Sequence, residues 1–231
     1  MNVAALYDVH GNLPALEAVL AELDEVSPDV IVFGGDVAAG GLPRETIDRL
    51  RSLEGARFVF GNCERDMLEG VPGPITGWAS TQLDDDQQEF LRSFEPRVVL
   101  DGVLYCHSTP ADDMPFVTIL TPDEVAAELI GEVEQSTVVI GHSHSQFDRR
   151  LGELRLVNAG SVGMPYEDQP GAYWALVADG EPILRRTAYD LEAAADRIRV
   201  GGWPEAEDWI DKNLLTVPSA RAHAELLESR R

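Results

Sequence analysis

The chain is short of lysine, cysteine, positive charge and long apolar runs, and each shortage removes a class of function. Lys212 is the single lysine against 17 arginines, and the 18 basic residues face 41 Asp and Glu, a formal charge of −23 over 231 residues. A field of that sign repels polyanions, so neither a nucleic-acid polymer nor an anionic membrane is expected as a partner. A small phosphorylated substrate is not excluded, because a bound divalent ion can invert the local potential. Two cysteines, Cys63 and Cys106, cannot build a disulfide framework and suit a reducing compartment. The first residues carry no basic segment followed by a cleavable apolar stretch, and no apolar run nears the roughly 18 residues of a membrane span. The cytoplasm is the expected location. The 44% hydrophobic content supplies one sizeable core, so a single domain over 1–231 is expected.

What is present is ordered. "VAALY", "VIVFGG" and "ARFVFG" are short apolar runs rich in β-branched and aromatic residues, and they read as buried parallel strands. The stretches between them, "LPALEAVLAELDEV" and "PRETIDRLRSL", repeat apolar residues at three and four, so the first sixty residues form a βαβαβ unit. Residues 64–96 are polar and proline-containing with one clear helix after "LDDDQQ", an excursion or lid. "RVVL" and "VLYCH" read as strands, "TPDEVAAELI" as a capped helix and "STVVIG" as a further strand. "DRRLGELRLVNAGS" and "AYWALVADGEPILRRTAY" read as hairpins of an antiparallel second half, and 190–231 as a helical C-terminal extension.

Metal-capable side chains stand at the ends of these strands: Asp8 and His10 after the first, Asp36 after the second, Asn62 after the third, then His107, and His142 with His144. Open α/β sheets place their sites at the carboxyl ends of strands. A lone histidine there is more often structural, but four of the five histidines fall at strand ends. His223 lies in the C-terminal helical stretch and reads as a surface residue.

The ordered set "DVH", "GGD", "GNC", "CHS" and "GHSH", spread over Met1 to about Pro165, resembles the calcineurin-like metallophosphoesterase superfamily, in particular its small bacterial and archaeal phosphodiesterase-like branch. The resemblance implies an α/β fold, a two-sheet αββα sandwich with helices outside. It also implies two divalent metal ions, manganese first with iron, zinc, cobalt or nickel as options, held by Asp8, His10, Asp36, Asn62, His107, His142 and His144. Asp36 would bridge, Asp8, His10 and His144 would complete one shell, and Asn62, His107 and His142 the other. Mixed nitrogen and oxygen donors suit such ions better than calcium. The implied reaction is hydrolysis of a small phosphodiester or phosphoanhydride by a metal-bridging hydroxide, with Asp36, Asn62, Cys63 and His107 as the catalytic group. Asn12, Asn62, Arg65 and Ser108 are the candidate substrate contacts, although Asn12 also reads as a helix N-cap. A dinucleoside polyphosphate hydrolase, a protein Ser/Thr phosphatase and a non-catalytic scaffold are the alternatives.

One position departs from the pattern. Many members carry histidine after Gly-Asn as the acid for the leaving group, where this chain has Cys63, and a thiol is a weak hydrogen-bond donor. General acid catalysis contributes about 10²–10⁴-fold, so its loss predicts a bias toward substrates with stable leaving groups. Arg65, Ser108 and Glu64 are candidate substitutes. Trp78 reads as packing or as a stacking surface for a base.

Overall fold

A computed structural model describes residues 1–216 and 218–231. Val217, within the expected C-terminal extension, lies outside the described residues. Strands β1 (Asn2–Leu6), β2 (Val30–Phe33) and β3 (Arg57–Phe58) pair in parallel, and helices α1 (Leu13–Val26) and α2 (Pro43–Arg51) connect them. The hairpin of β9 (Ala172–Ala178) and β10 (Glu181–Thr187) joins the other edge of β1, giving a five-stranded sheet in the order β10-β9-β1-β2-β3. The second sheet runs β4 (Arg97–Leu100), β5 (Val103–Cys106), β6 (Thr137–Ile140), β8 (Leu154–Asn158), β7 (Phe147–Leu151), with β5, β6 and β8 parallel and both edges antiparallel. The hairpins expected in the second half are therefore present but divided between two mixed sheets. One closes each, because β9 matches the open edge of β1.

Strand alternation builds the layers. Val3, Ala5 and Tyr7 of the first sheet face Val98, Tyr105 and Val139 of the second in the space between sheets, while Ala4, Leu6 and Phe33 point outward under the helices. The outer face of the second sheet packs Leu104, Cys106 and Leu156 against α6 (Asp123–Ile130). Cys106 thus alternates away from Tyr105 into an apolar layer, as its position before His107 predicts.

Residues 64–96 hold more helix than their composition predicts. Three short helices occur, α3 (Asn62–Glu69), α4 (Thr76–Gln82) and α5 (Asp85–Arg92), and Met67, Ala79, Leu83 and Leu91 bury against the outer face of the first sheet. Asp84 caps α5 as "LDDDQQ" predicts, accepting from the Gln87 N–H at 2.9 Å. Trp78 stacks on Trp203 at 6.1 Å, which makes it a packing residue linking α4 to the segment after α7 (Leu191–Val200). The chain ends in α8 (Ala206–Trp209), a π-helical turn (Ile210–Leu214) and α9 (Ala220–Glu228).

Candidate metal centre

All six parallel strands end at one edge of the sandwich, and the residues just beyond them converge. Asp8, His10 and His144 form one buried group, and Asp36, His107 and His142 another. Asp36 reaches both sides: Oδ1 lies 3.6 Å from His107 Nε2 and Oδ2 lies 3.8 Å from His10 Nε2. Asn62 Oδ1 sits 3.1 Å from His107 Nε2, so all seven expected ligands meet.

Backbone geometry aims them. Asp8, His10, Asp36, His142 and His144 all adopt left-handed φ between 48° and 63°, a conformation non-glycine residues rarely take and which persists only where surroundings enforce it. The enforcement is a lattice of main-chain bonds: Asp8 N–H donates to Gly35 O, His10 N–H to Asp36 O, and Gly163 N–H to Asp8 O. Gly61 and Gly141 complete it by absence, because a Cβ at either would stand 2.5 Å from a carboxylate oxygen, of Asp36 and Asp8 respectively.

The imidazoles are held by their outer nitrogens. His10 Nδ1 donates to Ala39 O at 3.2 Å, His107 Nδ1 to Gly34 O at 2.9 Å, and His144 Nδ1 to Met164 O at 2.8 Å, while His142 donates through Nε2 to Met114 O at 3.1 Å. Carbonyl oxygens only accept, so these nitrogens carry the proton and the inward nitrogen of each neutral ring is a bare lone pair. Yet His10 Nε2 and His144 Nε2 stand 3.1 Å apart, as do His107 Nε2 and His142 Nδ1. Asp8 Oδ1, buried and without a hydrogen-bond partner, points at the same place. Electron pairs converging without protons fit cations, and nitrogen with carboxylate oxygen is a donor set for first-row divalent ions.

Charge agrees with this reading. Burial, with the neighbouring imidazole, lowers His10 and His142 to about 4, so both stay neutral and free to ligate. Burial alone would raise Asp36, but His107, His10 and His142 outweigh it and hold the carboxyl well below its usual range. His107 is the exception: burial lowers it, and Asp36 with Asp8 more than reverses that, leaving it raised. Burial, then Asp36, pushes the Cys63 thiol far up, so it stays protonated.

Three of the four expected substrate contacts are engaged elsewhere. Asn12 caps α1, accepting from the Ala15 N–H at 3.2 Å, while its amide donates to Gly163 O at 2.9 Å and to the Tyr189 hydroxyl at 3.2 Å. Ser108 donates to Pro115 O, and Arg65 pairs with Asp113. The Asn12 cap is local and legible from the sequence, but its amide's bond to Gly163 and the Arg65 pair with Asp113 join segments far apart in the chain. Asn62 alone of the four faces the cluster.

Glu64 was legible only as a flanking acid. It is fully buried and binds three main-chain N–H groups, of Asp36 and Val37 at 2.8 Å and of Gly61 at 3.0 Å, fastening the Asp36 loop to the start of α3. His223 is half-buried and not open on the surface. It stacks on Tyr166 with ring centres 3.5 Å apart, and Tyr166 in turn stacks on His144 at 5.1 Å. Glu228 and Arg231 moor that end of the chain by binding the Thr118 and Thr121 hydroxyls and Phe116 O. Burial, then His144 and Arg230, lowers His223 to about 4. A folded pKa below the unfolded value means stability that is complete above about 6.5 and declines as pH falls toward 4. His223→Phe, which keeps the stack, is expected to flatten that decline in chelator-treated protein, measured as melting temperature against pH.

The comparisons with known proteins converge on one family. The family model described as the calcineurin-like phosphoesterase superfamily domain matches residues 1–180, leaving the edge strand β10 and the C-terminal helices beyond it. An uncharacterised protein of Methanocaldococcus jannaschii is 24% identical across 92% of this chain and 96% of its own length. The phosphodiesterase YfcE of Escherichia coli is 25% identical, covering 74% of this chain and 85% of that protein. The crystal structure of a metallophosphoesterase from Sphaerobacter thermophilus shares the fold with a TM-score of 0.77 at 23% identity, over 89% of this chain and 96% of that one. With the two-sheet sandwich and the buried acid and imidazole cluster in place, the chain belongs to the calcineurin-like phosphoesterase superfamily and is a hydrolase of phosphate esters.

Proposed function

We propose that the protein is a phosphodiesterase with two divalent cations, manganese preferred, acting on small phosphodiesters or phosphoanhydrides. The observation that carries this is the paired cluster about Asp36, whose two oxygens address two separate groups of buried donors. Asp8, His10 and His144 would hold one ion, and Asn62, His107 and His142 the other, with Asp36 shared. Such a pair supplies Lewis-acid polarisation of the phosphoryl group and acidifies water. Asn62 Nδ2, engaged among the described residues by Cys63 Sγ at 3.5 Å, would donate to a phosphoryl oxygen. The similarity to YfcE supports the diester reading. The 64–96 helices pack on the outer face of the first sheet, which supports reading this stretch as a fixed excursion and not a moving lid. No helix among the described residues is long and apolar enough to cross a membrane, and both cysteines are buried and free, in keeping with a reducing cytoplasm.

The test is hydrolysis of bis-aryl and mono-aryl phosphates after metal removal and reloading. Metal-dependent turnover favouring the diester is expected; stoichiometric metal binding without turnover of any ester would make the chain a scaffold. A protonated, buried Cys63 leaves departure to the substrate. Cys63→His is therefore expected to flatten the dependence of rate on leaving-group pKa, accelerating poor leaving groups by about a hundredfold, the lower end of the 10²–10⁴-fold range of general acid catalysis. Parallel slopes for the two proteins would refute the role assigned to position 63.

A further inference from the structure

A cleft of about 470 Å3 opens beside His107 and runs outward between the end of β3 and the loop after β5. Phe60 and Phe94 line it, and Phe94 is backed by other rings: it stacks on Phe58 at 4.9 Å and meets Phe90 edge-on at 5.1 Å. That wall is rigid before anything binds. Arg92 also lines the cleft, with its guanidinium held only by Gln88 at 3.3 Å and, loosely, by the exposed Glu89 at 3.6 Å of its own helix. The carboxylates opposite are engaged, Asp113 by Arg65 and Asp112 by the Met114 N–H at 2.9 Å. A lightly engaged cation in a chain of formal charge −23, in a cleft that begins at a phosphoryl-site imidazole, is complementary to an anion.

We propose that this cleft is the leaving-group subsite and that the group it takes is a nucleotide, an inference that rests on the phosphodiesterase reading above. Its base stacks on the half-buried Phe60 beside the edge of the buried Phe94, and a phosphate beyond the scissile bond meets Arg92. Neither half of the cleft explains the other alone: a simple aryl group leaves Arg92 without an anion, and inorganic phosphate leaves the aromatic wall bare. The volume falls within the roughly 300–1,000 Å3 of small-molecule sites.

Two measurements test it, using the full chain, Phe60→Ala and Arg92→Ala, the second being an exposed position that leaves folding intact. The first is the ratio of kcat/KM for diadenosine tetraphosphate to that for phenyl phosphate. The second is the affinity for adenosine 5′-monophosphate relative to inorganic phosphate, by calorimetry. Each variant is expected to lower both ratios about tenfold, the scale of one lost base-stacking contact. Both ratios within twofold of wild type in both variants would overturn the proposal. If wild-type protein turns over no ester while the variants still weaken nucleotide binding, the cleft stands and the phosphodiesterase reading beneath it falls.

Discussion

Asp36→Asn is expected to lower turnover of a bis-aryl phosphate by about a thousandfold or more and to reduce bound divalent ions from two per chain to one or none. The two effects have one cause. Oδ1 of Asp36 addresses the His107 side and Oδ2 the His10 side, and Oδ1 also accepts the Cys63 N–H at 2.8 Å. An amide keeps the volume and that one hydrogen bond, but it loses the charge and turns a donor toward one cation. Metal-assisted charge stabilisation is worth several kcal/mol, and each 1.36 kcal/mol is tenfold in rate, which gives roughly three orders of magnitude. Folding should survive because the volume is unchanged. Against the cost of burial, however, the carboxylate is favoured in the folded state by His107, His10 and His142, so in chelator the variant should melt somewhat below wild type at neutral pH. On adding Mn²⁺ wild type should rise more than the variant, since a ligand stabilises the state that binds it. Full metal-dependent turnover by Asp36→Asn would move the reaction away from this cluster.

What the sequence made legible follows from distance along the chain. The seven positions expected as ligands come together because each stands within four residues of the end of an apolar run, and topology gathers strand ends without help from side chains. The same reasoning fails where a side chain's partner is remote. Asn12 finds Gly163 and Arg65 finds Asp113, bonds that exist only once the sheets are stacked, while Ser108 finds Pro115 seven residues on in the loop after β5, so three expected substrate contacts are engaged elsewhere. Helix α4 was missed because "TGWASTQ", following a Pro-Gly-Pro stretch, carries none of the usual start signals; burial of Ala79 and stacking of Trp78 hold it instead. His223 was misread for a related reason. An amphipathic helix announces that it will dock but not where, and α9 docks over Tyr166 beside the metal cluster through Glu228 and the two threonines.

Glu64 is where stability and site geometry are coupled, so Glu64→Ala should damage both. Its carboxyl satisfies three main-chain N–H groups, and alanine leaves all three buried without an acceptor. An unsatisfied buried donor costs about 1–3 kcal/mol, so a loss of roughly 3–9 kcal/mol is expected in chemical denaturation with chelator present. That is a large share of the about 5–15 kcal/mol that a domain has. Burial and the Asp36 charge raise Glu64 to about 7, and the N–H bonds pull the other way, so the site tolerates an anion here only because the main chain surrounds it. Glu64→Gln separates the two roles. One amide oxygen can still serve the Asp36 and Gly61 N–H groups that share Oε2, but an NH₂ then faces the Val37 N–H, so this variant should fold with a smaller loss. It should nonetheless bind metal about 10–100-fold more weakly, as residues that orient ligands typically do when changed. Metal affinity equal to wild type in a folded Glu64→Gln protein would mean that the Asp36 loop holds its left-handed turn without this anchor, and that the main-chain lattice from Asp8 to Gly163 is enough.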